Sequence, residues 1–356
     1  MNNIFICGNY GATNLGDELI LKGLLAVIPA KAGILNARVV VLSYNPKETE
    51  RLHHVKSVYF LPCGVRSLLR GVLGLELFQT LKAYYQCNEF IFGGGGLMQD
   101  DKPKAIFIWG FHLFLALILR KRIRILGNSV GPLNKLWSRK IVSFLFNHVH
   151  EITIRDEISK KLLKEIGVRK EIKVVEDFAS SLSIPTPFSV IPAKAGILHL
   201  WEKDSCSHRN DKCGYIILSL RNWLNGKEKE KFDEEIVKMC NFLIQEKGYE
   251  IIGIPFEKLR DDDEAYLLYI REKTLNKKYF HVQKYCSDFD KIFDLYFNAH
   301  FVIGMRLHSI ILAHKFKKDF LALSYSEKVR GFCEGVGKGD SCVDIRKFGA
   351  FDLTKF

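Results

Sequence analysis

The chain has no Cys-x-x-Cys pair, no Gly-x-Gly-x-x-Gly fingerprint, no aromatic RNA-binding signature and no apolar run long enough to cross a bilayer. Each absence removes a class of protein. The nine cysteines are scattered through 356 residues, which argues against a structural zinc site or a disulfide framework and for reduced thiols. Without the glycine fingerprint a Rossmann cofactor is not implied. Residues 105–119 are apolar apart from His112. About 20 apolar residues are needed to span a membrane, so this stretch predicts a buried or interfacial helix. The opening Met-Asn-Asn-Ile-Phe-Ile-Cys-Gly reads as a strand entering a glycine turn rather than a signal peptide, and the expectation is a cytoplasmic protein.

Charge is what the chain has in excess. Fifty-three Lys and Arg against 40 Asp and Glu give a formal net charge of +13, which favours nucleic acid, an anionic membrane face or a phosphorylated substrate. The basic residues are spread along the chain, so nucleic acid is not expected as a partner. Peripheral contact with the inner face of the cytoplasmic membrane is expected, with the basic segment 120–124 as one contributor.

The length suits two domains. Residues 2–8, 38–43, 57–61 and 89–92 read as strands, and two of them lead into glycine-rich segments, 8–18 and 93–100. In the first, Gly8, Gly11 and Gly16 let backbone amides approach a ligand, and Asn14 and Asp17 lie where a helix begins. In the second, four consecutive glycines, Gly94 and Gly95 among them, precede Asp100 and predict a sharp turn or a close ligand approach. Asp17 and Asp100 also fit helix caps. A further strand, 123–126, runs into the Gly-Pro turn 127–132, and strand 151–154 into Arg155 at the start of a helix. In the second half, strand 215–220 ends in Arg221, strand 250–254 precedes an acid-rich helix at 261–271, and strand 320–324 leads to Tyr325, Lys328 and Arg330. Strands alternating with helices predict doubly wound parallel sheets with ligands at the carboxyl ends of the strands.

Residues 301–314, Phe-Val-Ile-Gly-Met-Arg-Leu-His-Ser-Ile-Ile-Leu-Ala-His, organise the second half. The apolar run to Gly304 reads as a buried strand and the following residues recur at helical spacing. Arg306 and His308 therefore fall at a helix N-terminus, where an anion is favoured and where a guanidinium adds a planar fork for it. Histidine can exchange a proton near neutral pH. The nine residues Val-Ile-Pro-Ala-Lys-Ala-Gly-Ile-Leu occur twice, at 27–35 and 190–198. Two short copies at unlike positions are not a repeat architecture, and both read as surface insertions. The expected organisation is an N-terminal Rossmann-like domain at 1–184, a flexible interdomain insertion at 185–213 and a C-terminal Rossmann-like domain at 214–356.

The succession of segments 8–18, 93–100, 127–132, 155–159 and 175–179, then Arg221, 304–308 and 324–331, resembles the polysaccharide pyruvyl transferase family. Asn128, where a glutamine is common, and Glu176 before Asp177 depart from its pattern. The resemblance implies an α/β fold of two Rossmann-like domains facing across a cleft, as in GT-B glycosyltransferases. It implies a transferase that moves the pyruvyl group of phosphoenolpyruvate onto a sugar of a cell-surface polysaccharide, with a ketal formed and phosphate released. His308 would be the general acid with Arg306 beside it, and Arg155, Arg221 and Lys328 would hold the donor. Asn14, Asp17, Gly94, Gly95 and Asp100 would meet a lipid-linked or polymeric glycan acceptor on the N-terminal side. No metal and no cofactor is expected, because cations can balance the phosphate charge. Two other readings stay open: a GT-B glycosyltransferase using a nucleotide sugar, and a non-catalytic glycan-binding or regulatory protein.

Overall fold

The computed structural model describes residues 3–32, 38–61, 75–101, 103–182 and 214–350. The chain divides into two compact units, Met1–Leu182 and Ser183–Phe356. The expected insertion at 185–213, with the second nine-residue copy, lies outside the described residues.

In the first unit, seven strands form one parallel sheet. They are β1 (Asn3–Cys7), β2 (Arg38–Ser43), β3 (Lys56–Tyr59), β4 (Glu89–Met98), β5 (Arg122–Val130), β6 (Glu151–Ile154) and β7 (Lys173–Val174), in the order β3-β2-β1-β4-β5-β6-β7. Parallel pairing requires crossover connections, and helices supply them. These are α1 (Leu15–Ala32), α2 (Pro46–His53), α3 (Leu75–Gln86), α4 (Pro103–Ile118), α5 (Leu136–Asn147) and α6 (Glu157–Glu165). Strands covered on both faces read as continuous apolar runs, and β1 does. Alternate β1 residues feed two cores. Phe5 packs with Tyr84 of α3, Trp109 of α4 and Val142 of α5, while Ile4 and Ile6 pack with Ile20 and Leu24 of α1.

The second unit repeats the pattern with six strands: β8 (Tyr215–Ser219), β9 (Glu250–Gly253), β10 (Phe280–Val282), β11 (Phe301–Gly304), β12 (Phe320–Ser324) and β13 (Cys342–Asp344). Their order is β10-β9-β8-β11-β12-β13, again all parallel. The helices are α7 (Gly226–Gln245), α8 (Asp263–Lys273), α9 (Phe289–Asn298), α10 (Leu307–Lys315) and α11 (Glu327–Gly335). The strand order 3-2-1-4-5-6 is that of the Rossmann fold. It has one topological switch point per sheet, where ligands bind beyond the carboxyl ends of the strands. Here those points lie between β1 and β4 and between β8 and β11.

Two expectations need correction. The glycine segments after residues 92 and 126 are not turns that end their strands. β4 and β5 continue through them, pairing Gly93 with Leu126 and Gly95 with Asn128, and then change register before Met98 meets Val130. Gly94 and Gly95 have φ of +69° and +79°. A bulge built on such residues keeps the ladder running while bending the strand. The first nine-residue copy is also more than a surface insertion, because Ile28 is buried and Val27 packs on the α1 core. Among the described residues, no helix is long and apolar enough to cross a membrane.

Candidate active site

At the switch point of the first unit glycines line the ends of the strands. Tyr10 donates to the Gly93 carbonyl at 2.8 Å, and burial, then the nearby Asp17, raises its phenol well above the ordinary value. Asn14 caps α1, its Oδ1 accepting from the Gly16 amide at 3.0 Å. Glu18 is buried; it accepts from the Gly11 amide at 2.8 Å and lies 2.8 Å from Nε2 of His53 in α2. These bonds fix the loop that carries Asp17. The Asp17 carboxylate is half-buried, accepts from the Asn9 amide group at 2.6 Å, and faces Gly95 so closely that a Cβ there would stand 3.0 Å from Asp17 Oδ1. The structure thus brings together Asn14, Asp17, Gly94 and Gly95. Asp100 is buried and accepts at 2.7 Å from both the Lys135 amide and the Ser138 hydroxyl at the start of α5. Burial raises its carboxyl, but the bonds from Asn134, Ser138 and Lys135 outweigh this and leave it below the usual range. Both bonds fall on Oδ2, so Asp100 helps to cap the start of α5.

Arg155 also lies in the first unit. Its guanidinium is buried against Asp177 and donates from Nε to Ser129 at 2.6 Å, and Ser129 in turn bonds to Asp156, the N-cap of α6. Asp177 thus pairs with the guanidinium expected to meet a donor.

The second switch point is built from charged groups. Met305, directly after β11, donates its amide to the Ser219 carbonyl at 2.8 Å, which ties the turn to the end of β8. Arg306 is the N-cap of α10 and is nine-tenths buried. Its Nε and Nη2 grip both oxygens of Asp263 at 2.9 and 2.6 Å, and Nη2 also reaches Asp261 at 2.9 Å. Burial works against its charge, yet Asp263 and Asp261 outweigh burial and hold it protonated. Burial likewise raises the Asp263 carboxyl. Its oxygens nevertheless receive four N–H donors, two from Arg306 and the amides of Phe256 and Glu257, the pattern of an ionised acceptor.

Arg221, directly after β8, lies with Nε 2.9 Å from Asp261 and donates from Nη1 to the Tyr325 hydroxyl at 3.1 Å. Its guanidinium stacks on Trp223 and Tyr325, 4.5 and 5.1 Å from the ring centres. His308 is the second residue of α10 and half-buried. Its neighbour Ser309 is buried and hydrogen-bonded to Tyr296 at 2.7 Å, which seats the first turn of the helix.

Two arginines facing two aspartates carry no net charge. One strand further along a cavity of about 120 Å³ opens at the ends of β12 and β13, where Arg330 and Arg346 share the lining with Glu327 and Asp344 and with Trp223, Ser324, Tyr325 and Ser326. It adjoins the first turn of α11, whose N-cap Ser326 makes no side-chain cap bond and which carries Lys328. Sequence reasoning noted Arg330 but passed over Arg346 and Trp223. The signal for Arg346 was a short Cys-Val-Asp strand before it. Among the described residues no group of three or more His, Cys, Asp or Glu is arranged to hold a metal ion.

Comparison with known proteins bears on the fold and the family. The amylovoran biosynthesis protein AmsJ of Erwinia amylovora is 22% identical over 96% of this chain and 88% of its own length. Among solved structures, the UDP-GlcNAc 2-epimerase of Methanocaldococcus jannaschii superposes with a TM-score of 0.59 at 12% identity, covering 100% of this chain and 92% of that one. The Neisseria meningitidis UDP-GlcNAc 2-epimerase superposes at 0.56 and 11% identity, covering 98% of each chain. At such identities the likeness is one of fold, and the fold is GT-B-like. The profile of polysaccharide pyruvyl transferases matches residues 14–327, a span that runs from the start of α1 to the start of α11. The chain belongs to the polysaccharide pyruvyl transferase family.

Proposed function

We propose that this transferase moves the enolpyruvyl group of phosphoenolpyruvate onto a sugar of a cell-surface polysaccharide and closes a pyruvate ketal there. The observation that carries the reading is the position of His308 in the first turn of α10, next to the Arg306–Arg221 cluster and within a chain of this family. The donor has a carboxylate and a phosphate. Arg221, Lys328, Arg330 and Arg346 are the cations offered to them, with the α11 N-terminus adding backbone donors. Arg155 is retained as a donor contact, its charge tempered by Asp177.

His308 gives a proton to the donor methylene, and the adjacent carbon becomes electrophilic. A sugar hydroxyl adds to that carbon and loses its proton. The C–O bond to phosphate then breaks, phosphate departs with the bonding pair, and a neighbouring hydroxyl attacks the resulting cation to close the ketal. Arg306, fixed by Asp263, holds the turn that presents His308 to the donor. The acceptor would lie against the first unit's glycine-lined switch point, with Asp17 accepting from a sugar hydroxyl.

Incubation with phosphoenolpyruvate and lipid-linked or polymeric glycan acceptors, followed by phosphate assay and mass measurement, tests this. Phosphate release with acceptor gaining the mass of one pyruvate ketal is the expected result. Nucleotide release from a nucleotide sugar, with no phosphate from phosphoenolpyruvate, would establish the glycosyltransferase reading instead.

A further inference from the structure

Helix α4 is apolar almost all round, but only one side of it faces the core. Ile106, Trp109, Leu113 and Ala116 are buried against the sheet. On the other side, Phe107, Phe111, Phe114 and Ile118 recur at i, i+4, i+7 and i+11, which is a single stripe on a helix, and all are between 41 and 61% exposed. The stripe does not stand alone. Tyr84 of α3 bonds to His112 of α4 at 2.5 Å, and Phe107 stacks on Trp137 of α5 with ring centres 5.1 Å apart. The three helices therefore form one layer, and Phe78 of α3 and Phe144 of α5 add exposed rings to it. Isolated surface apolar residues need no explanation, but a contiguous aromatic patch marks an interaction site.

The charges around the patch select its occupant. Along α3, α4 and α5 the only carboxylate is Glu76, against Lys82, Lys104, Arg139 and Lys140. Lys104 stands at the start of the stripe, and Arg120 and Arg122, both exposed, follow its end. A second copy presenting the same face would bring like charge to like charge. An anionic bilayer complements both the rings and the cations, which is the physics of a helix lying in the interfacial plane. We propose that the outer face of α3–α5 docks the chain on an anionic lipid surface, with the α4 stripe entering the headgroup region and the basic residues on lipid phosphates. At 16 residues α4 is too short to cross, and its inward side chains keep it in the domain core. The docking is independent of the reading of the site, and its failure would leave pyruvyl transfer standing.

Flotation of the full chain with phosphatidylcholine vesicles, with and without phosphatidylglycerol, tests the surface. The chain should float only with anionic vesicles and less at high salt. Replacing Phe111, Phe114 and Ile118 together by Ser should reduce the bound fraction by about tenfold or more with an unchanged melting curve, because the replaced side chains are exposed. Arg120→Glu with Arg122→Glu should also weaken binding and remove most of the salt dependence. Indifference of the wild type to anionic vesicles at low salt would overturn the proposal, as would undiminished binding of the serine variant. So would a wild-type dimer in light scattering that the serine variant converts to monomer, since the face would then serve a second copy.

Discussion

The two switch points have the same strand order and opposite chemistry. Between β1 and β4 the chain places glycines, a tyrosine, an asparagine and one half-buried carboxylate. Between β8 and β11 it places Arg221 and Arg306 locked to Asp261 and Asp263, with His308 two residues beyond Arg306. The topology decides where a ligand can sit, and the side chains at the strand ends decide which ligand it is. Backbone exposed by glycine next to a single carboxylate suits hydroxyl groups, and arginine forks beside a histidine at a helix N-terminus suit an anion.

Several changes would break that contrast or sharpen it. The largest effect is expected at His308. His308→Gln should keep the fold and the affinity for phosphoenolpyruvate while turnover falls by about two to four orders of magnitude, measured by phosphate release at saturating donor. Lost affinity with normal turnover would make His308 a positioning group.

Next is Asp263→Ala, which would leave Arg306 buried with Asp261 as its remaining carboxylate partner at that turn. Removing one member of a buried pair costs about 3–5 kcal/mol, so denaturant melts should show a marked loss of stability in this variant. An unchanged midpoint would mean that the pair is not what holds the turn.

The third concerns pH and belongs to the first unit. Burial lowers the His112 imidazole to about 4 from an ordinary 6.5. The folded state therefore favours the neutral ring. The unfolded chain binds more protons between those two values, so stability conferred by His112 is full above about pH 6.5 and is lost as pH falls toward 4. The difference corresponds to about 3 kcal/mol. His112→Phe should flatten that acid limb in melts between pH 7 and 4, and a limb of unchanged slope would place its origin elsewhere.

Much of this contrast was readable in the sequence. Strands 38–43, 301–304 and 320–324 fell where expected, since apolar runs closed by glycine or serine have few other uses. Arg306 and His308 were recognisable as the start of a helix after a buried strand. The partners of Arg306 were not. Asp263 lies 43 residues upstream, and the acid-rich start of α8 was visible, but only the strand order β9-β8-β11 brings it to that turn. The partners of Asp100 were hidden for a similar reason. A carboxylate closing a glycine segment reads as a ligand contact, and its bonds to Lys135 and Ser138 at the start of α5 show only in the fold. The glycines of β4 suggested a turn because sequence cannot distinguish a strand-ending glycine from one that bulges a strand and lets it continue.

The central claim is that the donor's charge is held by the second unit's arginines and not at the glycine-lined site of the first. Calorimetric titration of phosphoenolpyruvate into the wild type, Arg330→Ala and Asp17→Asn tests it directly. A charge-assisted contact is worth about 1.5–3 kcal/mol, so Arg330→Ala should weaken binding by about ten- to a hundredfold, and Asp17→Asn should leave it within about twofold. Unaltered affinity in Arg330→Ala together with a large loss in Asp17→Asn would contradict the account.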